Sequence, residues 1–346
     1  PVLHSLASAS TITWLIHQKF ELSIPLYRQE KEWEALGLRL SRATMSNWLL
    51  VVYRDWLVHI VHRLKLELLK QRYLHIDETH VQVLKEPGRK NTSDSYMWVY
   101  CSIRDAVNPI RYFEYQPGRS GKYPEAFLRE YEGYIHTDAY SGYNAVSGVK
   151  RCLCYTHLRR AFVDALPKDI HNSEASKPAE AILRLNQLFN IESELEALPP
   201  DQKKKERLIR EKPLLEAFWS WAEKSAIGEL PKSKLSKAFH YALNNREGFW
   251  NYLEDGNCSI SNSLAENCIR PFVIGRKNWL FSGSPKGAEA SAGIYTLVET
   301  AKANGLAPMK YIKYILSDMP GSAFLEHPEY LDDYLPWNPL VKEFCR

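Results

Sequence analysis

Three carboxylates are the residues of this chain best placed to do chemistry. Asp77 sits in the middle of Tyr73-Leu-His-Ile-Asp-Glu-Thr-His-Val-Gln-Val-Leu84, which reads as a buried strand between a helical pattern and the turn cluster Lys85-Glu-Pro-Gly-Arg-Lys-Asn91. A carboxylate inside a strand loses its solvation unless it is paired, hydrogen-bonded or bound to a cation. Asp138 ends the strand Gly133-Tyr-Ile-His-Thr-Asp138, just before the turn Ala139-Tyr-Ser-Gly-Tyr143, and ligand groups of open sheets collect at such carboxyl ends. A helical crossover back to a parallel strand would set this strand beside the first, and a bound cation is the economical way to keep two neighbouring carboxylates ionised. Glu266 falls in the opening turn of a helix, where Ser263 can cap and the dipole favours negative charge. Each has a plainer reading when taken alone. Asp77 and Asp138 read as loop caps, and Glu266 as a dipole partner or as the ion-pair partner of Arg270 four residues on.

The elements that must hold these groups follow from the patterning. Residues 1–71 read as helical: Ser10 to Glu21, Pro25 to Leu36 and Ser41 to Gln71. Within them a glycine turn at Gly37 separates two amphipathic stretches, with Ser41 as N-cap and Arg39 and Arg42 at the front of the second. This pattern is that of a helix-turn-helix DNA reader, or of an ordinary helical hairpin. From Tyr73 the texture changes to strands, continuing with Ser95–Ile103 and Ile110–Gln116 as a meander. A helix over Tyr123–Tyr131, strands at Gly133–Asp138 and Lys150–Tyr155, and a helix over Thr156–Leu166 capped by Thr156 come next. The order implies an α/β fold, a mixed sheet covered by helices.

Residues 167–257 read as an all-helical insertion: Ala179–Leu198, Asp201–Glu211, Pro213–Ala226 and Lys232–Leu253, broken at prolines. The basic run Lys203–Lys212 within it reads as a solvated face. Between Glu266 and Lys310 six basic residues, Arg270, Arg276 and Lys277 among them, face three acidic ones, with Trp279 and Phe281 interleaved. Such a stretch suits a nucleic-acid groove in which an aromatic stacks an unpaired base, although Trp279 also reads as plain core. Ala288–Asn304 and Pro308–Leu316 read as helices and Pro320–Arg346 as an irregular tail.

With 45% hydrophobic and 25% charged residues, the chain has the composition of a globular protein with real cores. A net charge of +4 permits a nucleic-acid partner without demanding one. The six cysteines show no C-x-x-C pair, which speaks against a disulfide framework and a four-cysteine zinc site and suits a reducing cytoplasm. No apolar run is long enough to span a bilayer, so no membrane partner is expected. Pro1 in place of Met suggests a piece of a longer protein.

With these residues in hand, the chain resembles the insertion sequence 66 family of bacterial transposases over nearly its whole length. The resemblance is carried by Leu74-His-Ile-Asp-Glu-Thr79, His136-Thr-Asp-Ala-Tyr-Ser-Gly-Tyr-Asn144, Cys154-Tyr-Thr-His-Leu-Arg-Arg160, Ala265-Glu, Ile269-Arg-Pro271, Gly275-Arg-Lys-Asn-Trp-Leu-Phe-Ser-Gly-Ser284 and Glu299-Thr-Ala-Lys-Ala-Asn-Gly305. It implies a ribonuclease H-like catalytic core with an Asp, Asp, Glu triad at Asp77, Asp138 and Glu266, which would hold two Mg²⁺ ions (or Mn²⁺) roughly 3.5–4 Å apart for in-line attack at phosphodiesters. The Cys154-x-x-His157 pair resembles the cysteine-histidine signature found after the second Asp in several transposase groups and is taken as supporting structure, since two ligands do not complete a tetrahedral zinc shell. Where the family usually has Asp-Asn-Asn-x-Ala-Glu-Arg, this chain has Ser261-Asn-Ser-Leu-Ala-Glu-Asn267, with Asn in the place of a basic residue.

The expected organisation is a helical region 1–71, a catalytic core 72–166, the insertion 167–257, a returning core segment 258–305 and a C-terminal part 306–346. Expected partners are element ends and target DNA, a homo-oligomer on DNA and accessory transposition proteins, in the nucleoid of a bacterial cytoplasm. Arg39, Arg42, Arg270, Arg276, Lys277 and Trp279 are the expected DNA contacts. The rival readings are a ribonuclease H-like nuclease or resolvase that cuts without joining, and a non-catalytic DNA-binding regulator.

Overall fold

The computed structural model describes residues 1, 2, 5, 7–167 and 176–346, so positions 168–175 at the start of the expected insertion lie outside it. Four helices open the chain: α1 (Ala9–Ile16), α2 (Leu26–Ala35), α3 (Arg42–Val52) and α4 (Val58–Leu69), with π-helical turns at His17–Glu21 and Tyr53–Leu57. Strands β1 (Tyr73–Val83), β2 (Asp94–Ser102) and β3 (Arg111–Gln116), a short α5 (Lys122–Phe127), β4 (Gly133–Thr137), β5 (Val149–Leu153) and α6 (Tyr155–Val163) follow. Then come α7 (Lys177–Glu194), α8 (Pro200–Arg210), α9 (Lys212–Ala226), α10 (Lys234–Asn244), α11 (Arg246–Trp250), α12 (Ser263–Trp279), β6 (Phe281–Ser282), α13 (Pro285–Ala303), α14 (Pro308–Asp318) and α15 (Pro339–Cys345).

The fold is α/β with a mixed sheet, ordered β3-β2-β1-β4-β5, and β6 pairs with β1. β2 and β3 are antiparallel, whereas β1 runs parallel to β4 and β4 parallel to β5. The helical crossover thus returns β4 to the side of β1, as expected from the sequence. The chain divides into two compact units, one of Pro1–Gln71, Ile76–Leu128 and Leu264–Arg346, the other of Arg72–His75 and Arg129–Ser263.

In the first unit α13 is the central helix, with Ala288, Ala290, Ile294, Leu297, Val298 and Ala301 all buried. Ser284 starts it by accepting the Gly287 N–H at 3.2 Å, with Pro285 in the first turn where no backbone donor is needed. Its hydroxyls finish the sheet. β3 ends the strand order, and an edge strand leaves backbone groups without a ladder partner. Thr296 Oγ1 accepts from the Phe113 N–H at 2.8 Å, and Thr300 Oγ1 accepts from the Arg111 N–H at 3.1 Å. Asn304 Nδ2 donates to the Pro109 carbonyl at 2.8 Å. The three side chains recur every four residues, so one helix face serves one strand edge.

In the second unit, Leu158 and Phe162 of α6, Leu185 and Leu188 of α7, Phe218 and Trp219 of α9, Phe239 of α10 and Phe249 of α11 share one core. Arg207 of α8 is fully buried. Its guanidinium donates to both Glu192 oxygens and to the carbonyls of Tyr252, Asp255 and Cys258, the last at 2.8 Å. One side chain therefore anchors the segment that leads out of the helical block. Burial raises the Glu211 carboxyl to about 8, and the neighbouring Glu192 adds to the shift. Glu211 accepts from the Tyr252 hydroxyl at 2.6 Å.

Several local expectations are corrected. Thr156 lies inside α6, and Cys154 occupies the N-cap position without a side-chain cap bond. Ser263 is the first residue of α12 and not its cap. The helix expected over Lys232–Leu253 breaks at Asn245 and ends in a 3₁₀ turn at Asn251–Glu254. The helix after β3 stops at Phe127, and the C-terminal tail contains α15 and a 3₁₀ stretch at Pro328–Tyr334.

Two predictions follow from these contacts. Thr296→Val keeps the shape but leaves the Phe113 N–H without its acceptor, so chemical denaturation should show a loss of about 1–3 kcal/mol; an unchanged midpoint and slope would remove the edge-covering role. For Glu211 the folded-state pKa lies above the unfolded one, so its favourable contribution is complete below the unfolded value and declines as pH rises towards about 8. Glu211→Gln retains an acceptor for Tyr252. Its melting temperature relative to the native protein should climb between pH 5 and 8, and a pH-independent difference contradicts the assignment.

Candidate active site

Alternation along β1 puts Asp77 and Thr79 on one face and Glu78 on the other. Asp77 is half-buried, and its Oδ1 accepts the Glu78 N–H at 2.9 Å. The Glu78 carboxylate is buried and pairs with Arg119 at 2.6 Å, so it is held apart from Asp77 by an ion pair of its own. Glu266 occupies the first turn of α12 and is also half-buried. Arg276 and Cys268 relate α12 to the strands. Arg276 Nη1 donates to Thr79 Oγ1 at 3.0 Å, and burial lowers the pKa of this guanidinium. The Cys101 thiol of β2 is pushed up first by burial, then by a hydrogen bond to Cys268 of α12, and further by the charge of Asp77.

The rest of α12 presents the expected basic groups. Arg270 and Lys277 are exposed and Arg276 is half-buried. Trp279 is half-buried, with its ring 5.3 Å from Phe272 in an edge-on arrangement. A Cβ on Gly275 would stand 2.5 Å from the Tyr295 hydroxyl and 3.0 Å from Trp279 Nε1, so a glycine is required for this approach. Trp279 also lines a cavity of about 90 Å³ with Lys19, Ser46, Phe281 and Ser291. Burial draws the Lys19 ammonium down to about 8.

Near the N-terminus, α2 and α3 are joined through Gly37, whose φ of 83° suits glycine. Ser41 accepts the Thr44 N–H at 3.1 Å as the N-cap of α3, as expected, and Glu30 of α2 accepts the Arg42 N–H at 2.9 Å. Arg39 and Arg42 are both exposed.

Asp138 belongs to the second unit and directly follows β4. Its Oδ1 accepts the Tyr140 N–H at 3.0 Å, a side-chain turn at the strand's end. Arg151 of β5 fastens the same loop by donating to Thr137 Oγ1 at 2.7 Å, the Asp138 carbonyl at 2.6 Å, the Tyr140 carbonyl at 2.8 Å and Asn144 Oδ1 at 2.7 Å. Cys154 Sγ accepts the Asn262 N–H at 3.1 Å, and although burial alone would raise this thiol, His157 and that N–H lower it. Asp77, Glu266 and Arg276 thus share the first unit, and Asp138 with Arg151 lies in the second. Arg119, Arg151 and Lys19 were not singled out from the sequence. Arg151 sits in a quoted strand segment, but nothing in a run of residues marks which arginine will bridge to a loop.

The chain belongs to the Transposase IS66 family, whose profile matches residues 4–290. Among curated proteins it is similar to two uncharacterised proteins of Sinorhizobium fredii. It is 26% identical to y4hP over 344 residues, covering 93% of this chain and 60% of that protein, and 28% identical to y4qI over 350 residues, covering 94% and 62%. The chain therefore spans about 60% of the length of these relatives. No solved structure matches it significantly. Among the described residues no helix is long and apolar enough to cross a membrane.

Removing the Arg151 clamp should loosen the loop that carries Asp138 without unfolding the sheet. In Arg151→Ala, amide hydrogen exchange at residues 139–144 should accelerate by roughly tenfold or more while β4 stays protected, since local opening is governed by local contacts. Equal protection in both proteins would show that the loop does not need the guanidinium.

Proposed function

We propose that this chain is the catalytic part of a DDE-type DNA transposase with a ribonuclease H-like core, in which Asp77, Asp138 and Glu266 carry divalent-metal-dependent strand cleavage and strand transfer. The observation that carries the reading is family membership over residues 4–290, with the three acids at a central strand, the carboxyl end of its parallel neighbour and the first turn of a returning helix. The register supports it. His75 pairs with His136, and Asp77 and Asp138 each stand two residues beyond their own histidine. The bond from Arg276 of α12 to Thr79, two residues past Asp77, supports a neighbourhood shared by β1 and α12.

The donor set fits Mg²⁺, a hard cation that takes carboxylate oxygens, with Mn²⁺ as its usual substitute. Bound there, the metal would supply Lewis acidity for phosphodiester attack and departure. The protein's own residues position and neutralise. The turn at Asp138 and the Arg151 clamp fix the approach of that carboxylate, and the Glu78–Arg119 pair keeps the adjacent acid out of the site. Arg270, Arg276 and Lys277 are assigned to phosphate contacts beside the scissile bond, Trp279 to an unpaired base, and α2–α3 with Arg39 and Arg42 to the element ends. The work on two ends calls for a homo-oligomer on DNA, with accessory proteins as further partners.

The test is cleavage and joining of labelled element ends with Mg²⁺ or Mn²⁺. Asp77→Asn, Asp138→Asn and Glu266→Gln should each lower both steps by roughly two orders of magnitude or more while retaining DNA binding. Cleavage that survives Asp77→Asn removes that residue from the chemistry, and cleavage without joining turns the assignment to a nuclease.

A further inference from the structure

The second unit contains a group of ligating side chains that the proposed chemistry does not use. The parallel register of β4 and β5 sets His136 opposite Cys152, so their side chains leave the same face of the sheet. Cys258, from the segment anchored by Arg207, comes over that face. One ligand atom of each residue, an imidazole nitrogen and two Sγ atoms, lies within 4.8 Å of the other two, and all three residues are buried. The imidazole is already oriented. The Ser259 N–H points at His136 Nε2 at 2.9 Å, which makes Nε2 the lone-pair nitrogen and leaves Nδ1–H to donate to the Leu74 carbonyl at 3.2 Å. His75 stacks on its ring at 4.2 Å and 11° and is itself held by Asn262 at 3.0 Å.

We propose that His136, Cys152 and Cys258 supply three of the four ligands of one thiophilic cation of the zinc type, with the fourth position taken by water, separate from the carboxylate chemistry. Donor identity is the first argument. Two sulfurs and an imidazole nitrogen are the soft and borderline ligands that select zinc over magnesium. Charge is the second, because two thiolates and a divalent cation sum to zero, the one ionised arrangement that a buried site tolerates cheaply. Geometry is the third. With Zn–S of about 2.3 Å and Zn–N of about 2.1 Å, a tetrahedral ion holds two sulfurs and a nitrogen roughly 3.6–3.8 Å apart, inside the 4.8 Å within which the three atoms already lie. A histidine whose other nitrogen donates to a backbone carbonyl is the usual outer support of a zinc ligand. On binding, each thiol gives up its proton to solvent and the Ser259 N–H exchanges Nε2 for sulfur. Such an ion would pin the segment around Cys258 to β4 and β5, in addition to Arg207's hold on its carbonyl.

The test uses the full chain, refolded or expressed with zinc under reducing conditions and then desalted. Metal analysis should find one zinc per chain, and Co²⁺ in its place should give sulfur-to-cobalt charge-transfer bands with tetrahedral d–d absorption. Cys152→Ser and Cys258→Ser should each lower zinc affinity by roughly tenfold or more, and Cys345→Ser should not. Should a variant fail to fold, X-ray absorption on the native zinc form decides, since two sulfurs and a nitrogen around the ion support the site and an all-oxygen shell overturns it. Native protein that holds no zinc, or a Cys152–Cys258 disulfide persisting under reducing conditions, also overturns it.

Discussion

The register of β1 is the constraint on which the arrangement of this protein depends. Its first residues pair in parallel with β4, Tyr73 with Tyr134 through His75 with His136, and its last residues Gln82 and Val83 pair with β6. In a strand with alternating faces, a slip of one residue would exchange Asp77 and Thr79 for Ile76 and Glu78. It would bring to that face an acid that is already paired with Arg119. The paired histidines resist such a slip, because His75 and His136 stack on one another and each is separately hydrogen-bonded, to Asn262 and to Leu74 with Ser259. Positioning of the acid on β1 is therefore a consequence of sheet pairing and of a small buried polar cluster, more than of local sequence preference.

Much of the scaffold was legible because its signals are local. Alternating apolar runs gave β1 to β5 to within a residue or two, and Ser41 marked the start of α3 where capping chemistry requires it, whereas the serine caps and first-turn prolines of α7 and α13 were passed over. The placement of β4 beside β1 followed from the general behaviour of a helical crossover. Tertiary effects were not legible. Asn245 breaks a helical pattern that reads as continuous, and the two-residue β6 is too short to stand out from a loop. Cysteine spacing was silent on the buried cluster for a similar reason. Cys152 finds its partners in His136 through strand register and in Cys258 through a distant returning segment, and neither relation appears in a scan for neighbouring pairs.

The residues of the candidate site were legible as types and positions, and the groups that hold them were not. Asp77, Asp138 and Glu266 stand where the sequence puts them, in a strand, at a strand's end and in a helix's first turn. The arginines that hold the neighbourhood are invisible without coordinates, because a guanidinium on β5 or α8 can reach any carbonyl within a long arm's length. Arg151 and Arg207 do the same kind of work at different depths. The first ties a loop through half-buried contacts, whereas the second is buried and neutralised by Glu192, an arrangement costly to break because its loss strands an unpaired charge.

The central claim is that three acids remote in the chain serve one divalent-metal site. Crystals of the protein bound to an element end, soaked in Mn²⁺ and measured at the manganese absorption edge, test it most directly. The account predicts anomalous peaks within about 2.0–2.3 Å of carboxylate oxygens from Asp77 and Asp138, with Glu266 completing the shell of one of them. Manganese bound elsewhere, with these three carboxylates turned to separate partners, would contradict it.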